Sequence, residues 1–190
     1  YMRTDSVRLA DEATTAVAAF IRGRYGEEYY PGKPRVFKTK GAAQDAHEAI
    51  RPSNVALLPD EIKGSLSPDQ YKLYKLIWSR FVACQMSEAI YDTISADILC
   101  EGYVFRASGH TVAFAGFTAV YEEGTDDADK GEAGKPLPVF EERDRLRAES
   151  VEPAQHFTQP PARYTEASLI RTMEEKGIGR PSTYAPTIAT

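Results

Sequence analysis

Leu66-Ser67-Pro68-Asp69-Gln70-Tyr71-Lys72-Leu73-Tyr74-Lys75-Leu76-Ile77-Trp78-Ser79-Arg80-Phe81-Val82-Ala83-Cys84-Gln85-Met86 decides how the first half of this chain folds. Ser67 is placed to cap a helix, with Pro68 at its first position and Gln70 at its third, where the Gln70 amide can return the bond to the Ser67 backbone. Leu66 and Tyr71 fall where a hydrophobic staple would close that first turn. Tyr71, Tyr74, Ile77, Trp78, Phe81 and Val82 then recur at spacings of three and four. One side of the predicted helix is therefore a core stripe rather than a row of ligand contacts.

Upstream, Ala13, Val17, Phe20, Ile21 and Tyr25 repeat the helical spacing over residues 10–25, with Asp11 and Glu12 near the start and Gly26 as the stop. Tyr29-Tyr30-Pro31-Gly32 reads as a turn or loop. Lys33, Arg35, Lys38 and Lys40 form a basic run that suits either a phosphate backbone or plain solvent. In Gln44-Asp45-Ala46-His47-Glu48-Ala49-Ile50-Arg51-Pro52-Ser53 a histidine, a glutamate and an arginine precede a proline stop. This is either a short helix with solvated polar residues or a pair of phosphate donors, His47 and Arg51. The chain opens with Tyr1-Met2-Arg3-Thr4-Asp5-Ser6. A phenol can serve as an oxygen nucleophile, and an arginine fork two residues on suits a phosphate. Tyr1 and Arg3 thus fit attack on a phosphodiester; they fit an ordinary surface as well.

Downstream the period changes near residue 90. Tyr91, Thr93, Ser95 and Asp97 alternate loosely with Ile94, Ile98 and Cys100; Tyr103-Val104-Phe105 and Thr111-Val112-Ala113-Phe114 follow, with His110 in a turn between them. Short β-strands with tight connections are predicted, and a further strand at 145–151. His110 and His156 read as structural. The stretch 122–135, with Glu122, Glu123, Asp126, Asp127, Asp129 and Glu132, reads as an exposed acidic loop and not as a metal site. Pro160-Pro161 breaks the chain again. A helix is predicted from Glu166 to Lys176, with Ala167, Leu169, Ile170 and Met173 on its apolar side and Gly177 beyond its end. Gly177-Ile178-Gly179-Arg180-Pro181-Ser182-Thr183-Tyr184 then combines two glycines, an arginine fork and a serine that can cap a new helix. That combination suits an anion site, and a plain helix junction would use the same glycines and serine. With Ser182 as the cap, Pro186 would stand at the fourth position and make the helix start irregular.

The 190 residues, 42% hydrophobic and 27% charged, allow one or two globular domains. No apolar run reaches the length of a transmembrane helix, about 18 residues, and no leader pattern opens the chain, so no membrane partner is expected. Cys84 and Cys100 show neither metal-ligand nor disulfide spacing, which points to a reducing cytoplasm. A net charge of −5 argues against a general nucleic-acid coat protein while leaving room for a local basic cleft.

Taken in order and spacing, the opening hexapeptide, Ala46–Ser53, Phe81-Val82-Ala83-Cys84-Gln85-Met86, Pro160-Pro161-Ala162-Arg163-Tyr164 and Gly177–Tyr184 closely resemble the bacterial DNA topoisomerase I family, the type IA topoisomerases. The resemblance runs over essentially the whole chain. It implies an enzyme that relaxes negatively supercoiled DNA without ATP, by cutting one strand, passing the other through and resealing. It implies Tyr1 as the nucleophile, forming a 5′-phosphotyrosine bond, and Arg3 as the catalytic residue that stabilises charge on the scissile phosphate. His47 and Arg51 become phosphate contacts, and Arg180, Ser182 and Thr183 residues that hold the single strand.

A free tyrosine has a pKa of about 10, so attack at neutral pH needs help. In the family this comes from an N-terminal Toprim domain bearing a glutamate, a lysine and an acidic Mg²⁺ cluster, so Mg²⁺ is expected in the intact enzyme, and no metal ligand in this stretch. The expected fold class is α+β, as a multidomain fragment. Residues 1–88 would form a helical domain carrying the tyrosine, 89–160 a short antiparallel β arch segment, and 161–190 the start of a helical body domain. The expected partners are single-stranded and negatively supercoiled DNA and the remaining domains of the same polypeptide, in a bacterial, nucleoid-associated setting. The stretch on its own is expected to be inactive, and the alternative is a non-catalytic single-stranded DNA-binding module.

Overall fold

The computed structural model describes residues 2–4, 6–37, 47–122 and 137–189. Tyr1 lies outside the described residues, as do Asp5, Lys38, Lys40 and all of the acidic stretch 122–135 except Glu122.

Helix α1, Asp11–Tyr25, begins with Asp11 and Glu12 and ends with Arg22 and Arg24 in its last turn, charges that complement the helix dipole at both ends. Ala13, Val17, Ala18 and Ile21 form its buried face. Gly26 follows with φ 116°, a backbone angle that L side chains rarely adopt. A short helix α2, Pro59–Ile62, precedes the long helix α3, Pro68–Gln85. The α3 start matches the sequence reading. Ser67 Oγ accepts from the Gln70 N–H at 3.3 Å and Gln70 Oε1 accepts from the Ser67 N–H at 2.9 Å. Tyr71 sends its hydroxyl to Asp60 at 2.6 Å.

Trp78, Phe81, Val82 and Met86 of the α3 side pack with Val17, Ala18 and Ile21 of α1, joined by Tyr30 and Val55. Phe20 meets Trp78 edge to face at 5.6 Å. Two α3 side chains reach beyond this core and fix the segment before α2. The Trp78 indole N–H donates to the Val55 carbonyl at 2.9 Å, and the Tyr74 hydroxyl donates to the Leu57 carbonyl at 2.7 Å. The buried Gln85 does the same for the loop after α1. Its amide donates to the Arg35 carbonyl at 3.1 Å and accepts from the Arg35 N–H at 3.0 Å. Arg35 is therefore tied into the fold rather than lying in a solvated basic loop, and its guanidinium reaches Glu88 at 3.4 Å.

Strands β1, Ile90–Cys100, and β2, Tyr103–Phe114, form one long antiparallel hairpin. Its turn falls at Glu101 and Gly102, with φ of 46° and 89°. Positive φ at both residues suits the right-handed twist of a two-residue hairpin loop. Gly109-His110 is not a break: Gly109 pairs with Ile94 and His110 with Thr93 inside the ladder. His110 packs its ring edge to face on Tyr91 at 5.1 Å. The segment 145–151 forms no strand. It lies exposed, with no ladder partner among the described residues to satisfy its backbone.

The hairpin exposes apolar side chains on both faces, Tyr91, Ile94, Tyr103 and Phe105 among them. A two-stranded ribbon in water is marginal by itself, so its base matters. Ser87 donates its N–H to the Tyr29 carbonyl and its hydroxyl to the Glu28 carbonyl, both at 2.8 Å. The Phe117 N–H returns to the Ser87 carbonyl at 2.9 Å, and Phe114 lies 4.7 Å from the Tyr29 ring.

Helix α4, Glu166–Glu175, starts at a reciprocal Thr165 and Ser168 cap, and Gly177 follows with φ 66°. Helix α5, Pro181–Ile188, follows. Its N-cap is Arg180, not Ser182. Pro181 has the fixed φ that suits a first helical position, and this moves Ser182 and Thr183 into the first turn. Pro186 is consequently the sixth residue of α5, where it has no N–H to give the Ser182 carbonyl. The fold is α+β, with helices and a two-stranded antiparallel sheet.

Candidate functional site

The described residues between Met2 and Ala10 have no helix or extended strand of their own, yet a second loop holds them at several points. Met2 forms a parallel bridge with Glu48. The Arg3 N–H donates to the Glu48 carbonyl at 2.8 Å, and the Ala49 N–H donates to the Arg8 carbonyl at 2.8 Å. Between these, the Ser6 hydroxyl, in a buried residue, donates to the His47 carbonyl at 2.8 Å. Arg3 and His47, 44 positions apart, are therefore carried on neighbouring backbones. The loop that holds them is anchored in turn to α3 through the Val55 and Leu57 carbonyls.

Glu48 is the centre of this junction. Its side chain is only 15% exposed and that of Arg51 17%. Glu48 Oε1 accepts from Arg51 Nε at 2.6 Å and from the Ala10 N–H at 2.9 Å, and Oε2 accepts from Arg51 at 3.2 Å. The Arg51 fork holds the Glu48 carboxyl below the usual glutamate range, burial opposes this, and the Ala10 N–H adds to the lowering. Arg51 also donates to the Pro52 carbonyl at 3.2 Å. Its guanidinium is thus engaged with Glu48 and the Pro52 carbonyl.

An open groove of about 570 Å³ is lined by Thr4, by Glu166, Ile170 and Glu174 of α4, and by Pro181 and Tyr184 of α5. Arg180, Ser182 and Thr183 are exposed at the α5 start. Thr183 Oγ1 accepts from the Arg180 N–H at 2.9 Å and donates to the Arg180 carbonyl at 3.0 Å, fixing the turn that carries the arginine. Gly179 has φ 77°, an angle that strains any larger residue, and a Cβ there would come within 3.2 Å of Thr183 Oγ1 and the Tyr184 ring, which would have to give way.

The structure thus places Arg3, His47 and Arg51 on two paired segments, and the α4–α5 unit that carries Arg180, Ser182 and Thr183 shares an open groove with Thr4 of the opening segment. Sequence reasoning passed over two participants. Glu48 stood inside the quoted motif, and the available signal was its place as the one acid between His47 and Arg51. Thr4 stood in the opening hexapeptide and carried no signal of its own. Among the described residues no three His, Cys, Asp or Glu side chains cluster as a metal site, and no helix is long and apolar enough to cross a membrane.

Comparison with known proteins bears on the family and the fold. The DNA topoisomerase family model matches residues 1–190. The fold is similar to that of full-length topoisomerase I from Thermotoga maritima, with a TM-score of 0.74 and 37% sequence identity. The match covers 100% of this chain and 29% of that one, so the chain spans less than a third of the length of that relative. The match across the whole sequence, together with the shared fold, shows that the chain belongs to the type IA DNA topoisomerase family.

Proposed function

We propose that this chain is the tyrosine-bearing part of a longer polypeptide that relaxes negatively supercoiled DNA through a transient single-strand break. The observation that supports the reading is the pairing of the opening segment with 47–51, because Arg3, two residues after Tyr1 in the sequence, lies on a backbone adjoining that of His47. In the proposed step the Tyr1 phenolic oxygen attacks the scissile phosphorus. The P–O3′ bond breaks, the 3′ oxygen leaves and takes up a proton, and the 5′ phosphate stays on tyrosine. Religation is the reverse attack by the 3′ hydroxyl. One phosphoester replaces another in each direction, so the chemistry requires no ATP.

The residues then divide the work by their charge and place. Arg3 stabilises negative charge on the phosphate, where a fixed cation is worth most in the transition state. His47 contacts the neighbouring phosphate. Arg180, Ser182 and Thr183 hold the single strand beside the groove at Thr4. Arg51 serves the phosphate region through its grip on Glu48. The described residues offer no acidic cluster fit for Mg²⁺. The proposed Mg²⁺ ligands and the groups that assist the phenol belong to a Toprim domain of the same polypeptide. Residues 1–88, 89–160 and 161–190 are proposed as the tyrosine domain, the arch segment and the start of the body domain, in a bacterial cytoplasm.

The test uses the full-length polypeptide with a single-stranded oligonucleotide labelled at its 3′ end, quenched with denaturant. A covalent protein–DNA adduct that retains the label is expected, and Tyr1→Phe should abolish it. Residues 1–190 alone should yield none. Salt-dependent DNA binding by the full-length protein with no adduct would overturn the cleavage reading in favour of a non-catalytic single-strand binder.

A further inference from the structure

We propose that Glu48 is a positioning residue for strand cleavage, clamping the segment that carries Tyr1 and Arg3. The inference rests on the cleavage reading above and adds a residue to it. Glu48 touches that segment at two points far apart along the chain. Its carbonyl receives the Arg3 N–H at 2.8 Å and its carboxylate receives the Ala10 N–H at 2.9 Å. The described residues between Arg3 and Ala10 form no helix or strand, so these bonds and the two between them help to set where Arg3 stands.

The carboxylate also does what the local sequence leaves undone. Helix α1 has Ala10 at its N-cap, a residue with no side chain to cap it. Glu48 brings a negative charge to that helix start from 38 positions away. Arg51 fixes the carboxylate through two charge-assisted bonds, at 2.6 Å and 3.2 Å. The chain of constraint therefore runs from Arg51 to Glu48, to the α1 start and to Arg3. A neutral amide at position 48 keeps the size but loses the charge-assisted pair and the charge at the helix start. A displacement of about 1 Å at a reacting group costs on the order of 100-fold in rate.

The experiment compares full-length wild type with Glu48→Gln and Ala10→Pro. Ala10 has φ −68°, which proline accepts, so Ala10→Pro deletes the N–H that Glu48 receives while keeping that residue's own conformation allowed. Single-turnover cleavage of a labelled oligonucleotide, oligonucleotide affinity and melting temperature are measured for each, with Tyr1→Phe as control. Glu48→Gln should slow cleavage about 10- to 100-fold, with the dissociation constant close to wild type and a melting temperature only a few degrees lower, so that the protein stays folded at the assay temperature. Ala10→Pro should slow it in the same direction. Wild-type cleavage rates in both variants would overturn the proposal, as would a rate loss matched by an equal loss of affinity or by unfolding. Failure of the wild-type protein to form any adduct would sink the cleavage reading itself, a different result from an adduct that forms equally well without Glu48.

Discussion

Replacing Gln85 with methionine should destabilise the fold by a predictable amount. The side chain keeps nearly the same length and volume, so little cavity forms. What disappears is the amide that accepts the Arg35 N–H at 3.0 Å and donates to the Arg35 carbonyl at 3.1 Å. Gln85 is fully buried, so its amide is desolvated in the native state and its worth lies in these bonds. Leaving a buried donor or acceptor without its partner costs about 1–3 kcal/mol each. Arg35 is only half-buried, so water recovers part of that cost, and the methionine gains from removal of a buried amide. The net loss should be about 2–3 kcal/mol. With a urea m-value of about 2 kcal/mol/M, the unfolding midpoint should fall by about 1 M. Trp78, 95% buried by its 5% exposure, reports the transition by fluorescence. The Arg35 amide should also exchange its hydrogen faster. An unchanged midpoint with unchanged Arg35 exchange would refute the claim that this side chain ties the loop after α1 to α3.

Two further outcomes follow from the same packing. Gly116→Ala should lower the melting temperature markedly, by a loss of about 2–4 kcal/mol. Its φ is 51° and a Cβ would lie 2.4 Å from the Glu88 carbonyl oxygen, a backbone atom that cannot swing away; an alanine variant as stable as wild type would show that the hairpin base is not close-packed. Acid should selectively weaken the Glu48 junction. Its carboxyl is held below the usual glutamate value, so the native state favours the ionised form. That stabilisation is fully present above the unfolded value, about 4.3, and is lost as pH falls through the lowered native value. The stability gap between wild type and Glu48→Gln, measured by urea unfolding, should therefore narrow as pH drops below about 4, and a constant gap would contradict the assignment.

Features legible in the sequence were those whose partners lie within a few residues. The α3 start was readable because Ser67 and Gln70 are three positions apart and close on each other. The α1 face and the Gly177 stop were readable for the same reason of short range. The five motifs in register pointed to the family because their order and spacing are a property of the chain alone. Where a local rule allowed two answers, the reading slipped. Ser182 and Arg180 both precede a helical pattern, and the proline between them decided for Arg180. Gly109 resembled a hairpin break, yet the ladder continues through it, because the left-handed angles needed for the turn are supplied at Glu101 and Gly102.

The tertiary structure alone decided how the candidate site is assembled. Nothing periodic links Arg3 to Glu48 or Ser6 to His47, since hydrogen bonds across 45 and 41 positions depend on how the intervening helix α1 packs on α3. The strand expected at 145–151 failed for the converse reason: β-propensity needs a neighbouring strand to pair with, and the described residues give that segment none. By itself the sequence determined helices α1, α3 and α4, the α3 cap and the family. The packing of α1 against α3 then determined which loop lies beside the opening segment, and so turned Glu48 from one acid within a motif into the residue on which that segment is held.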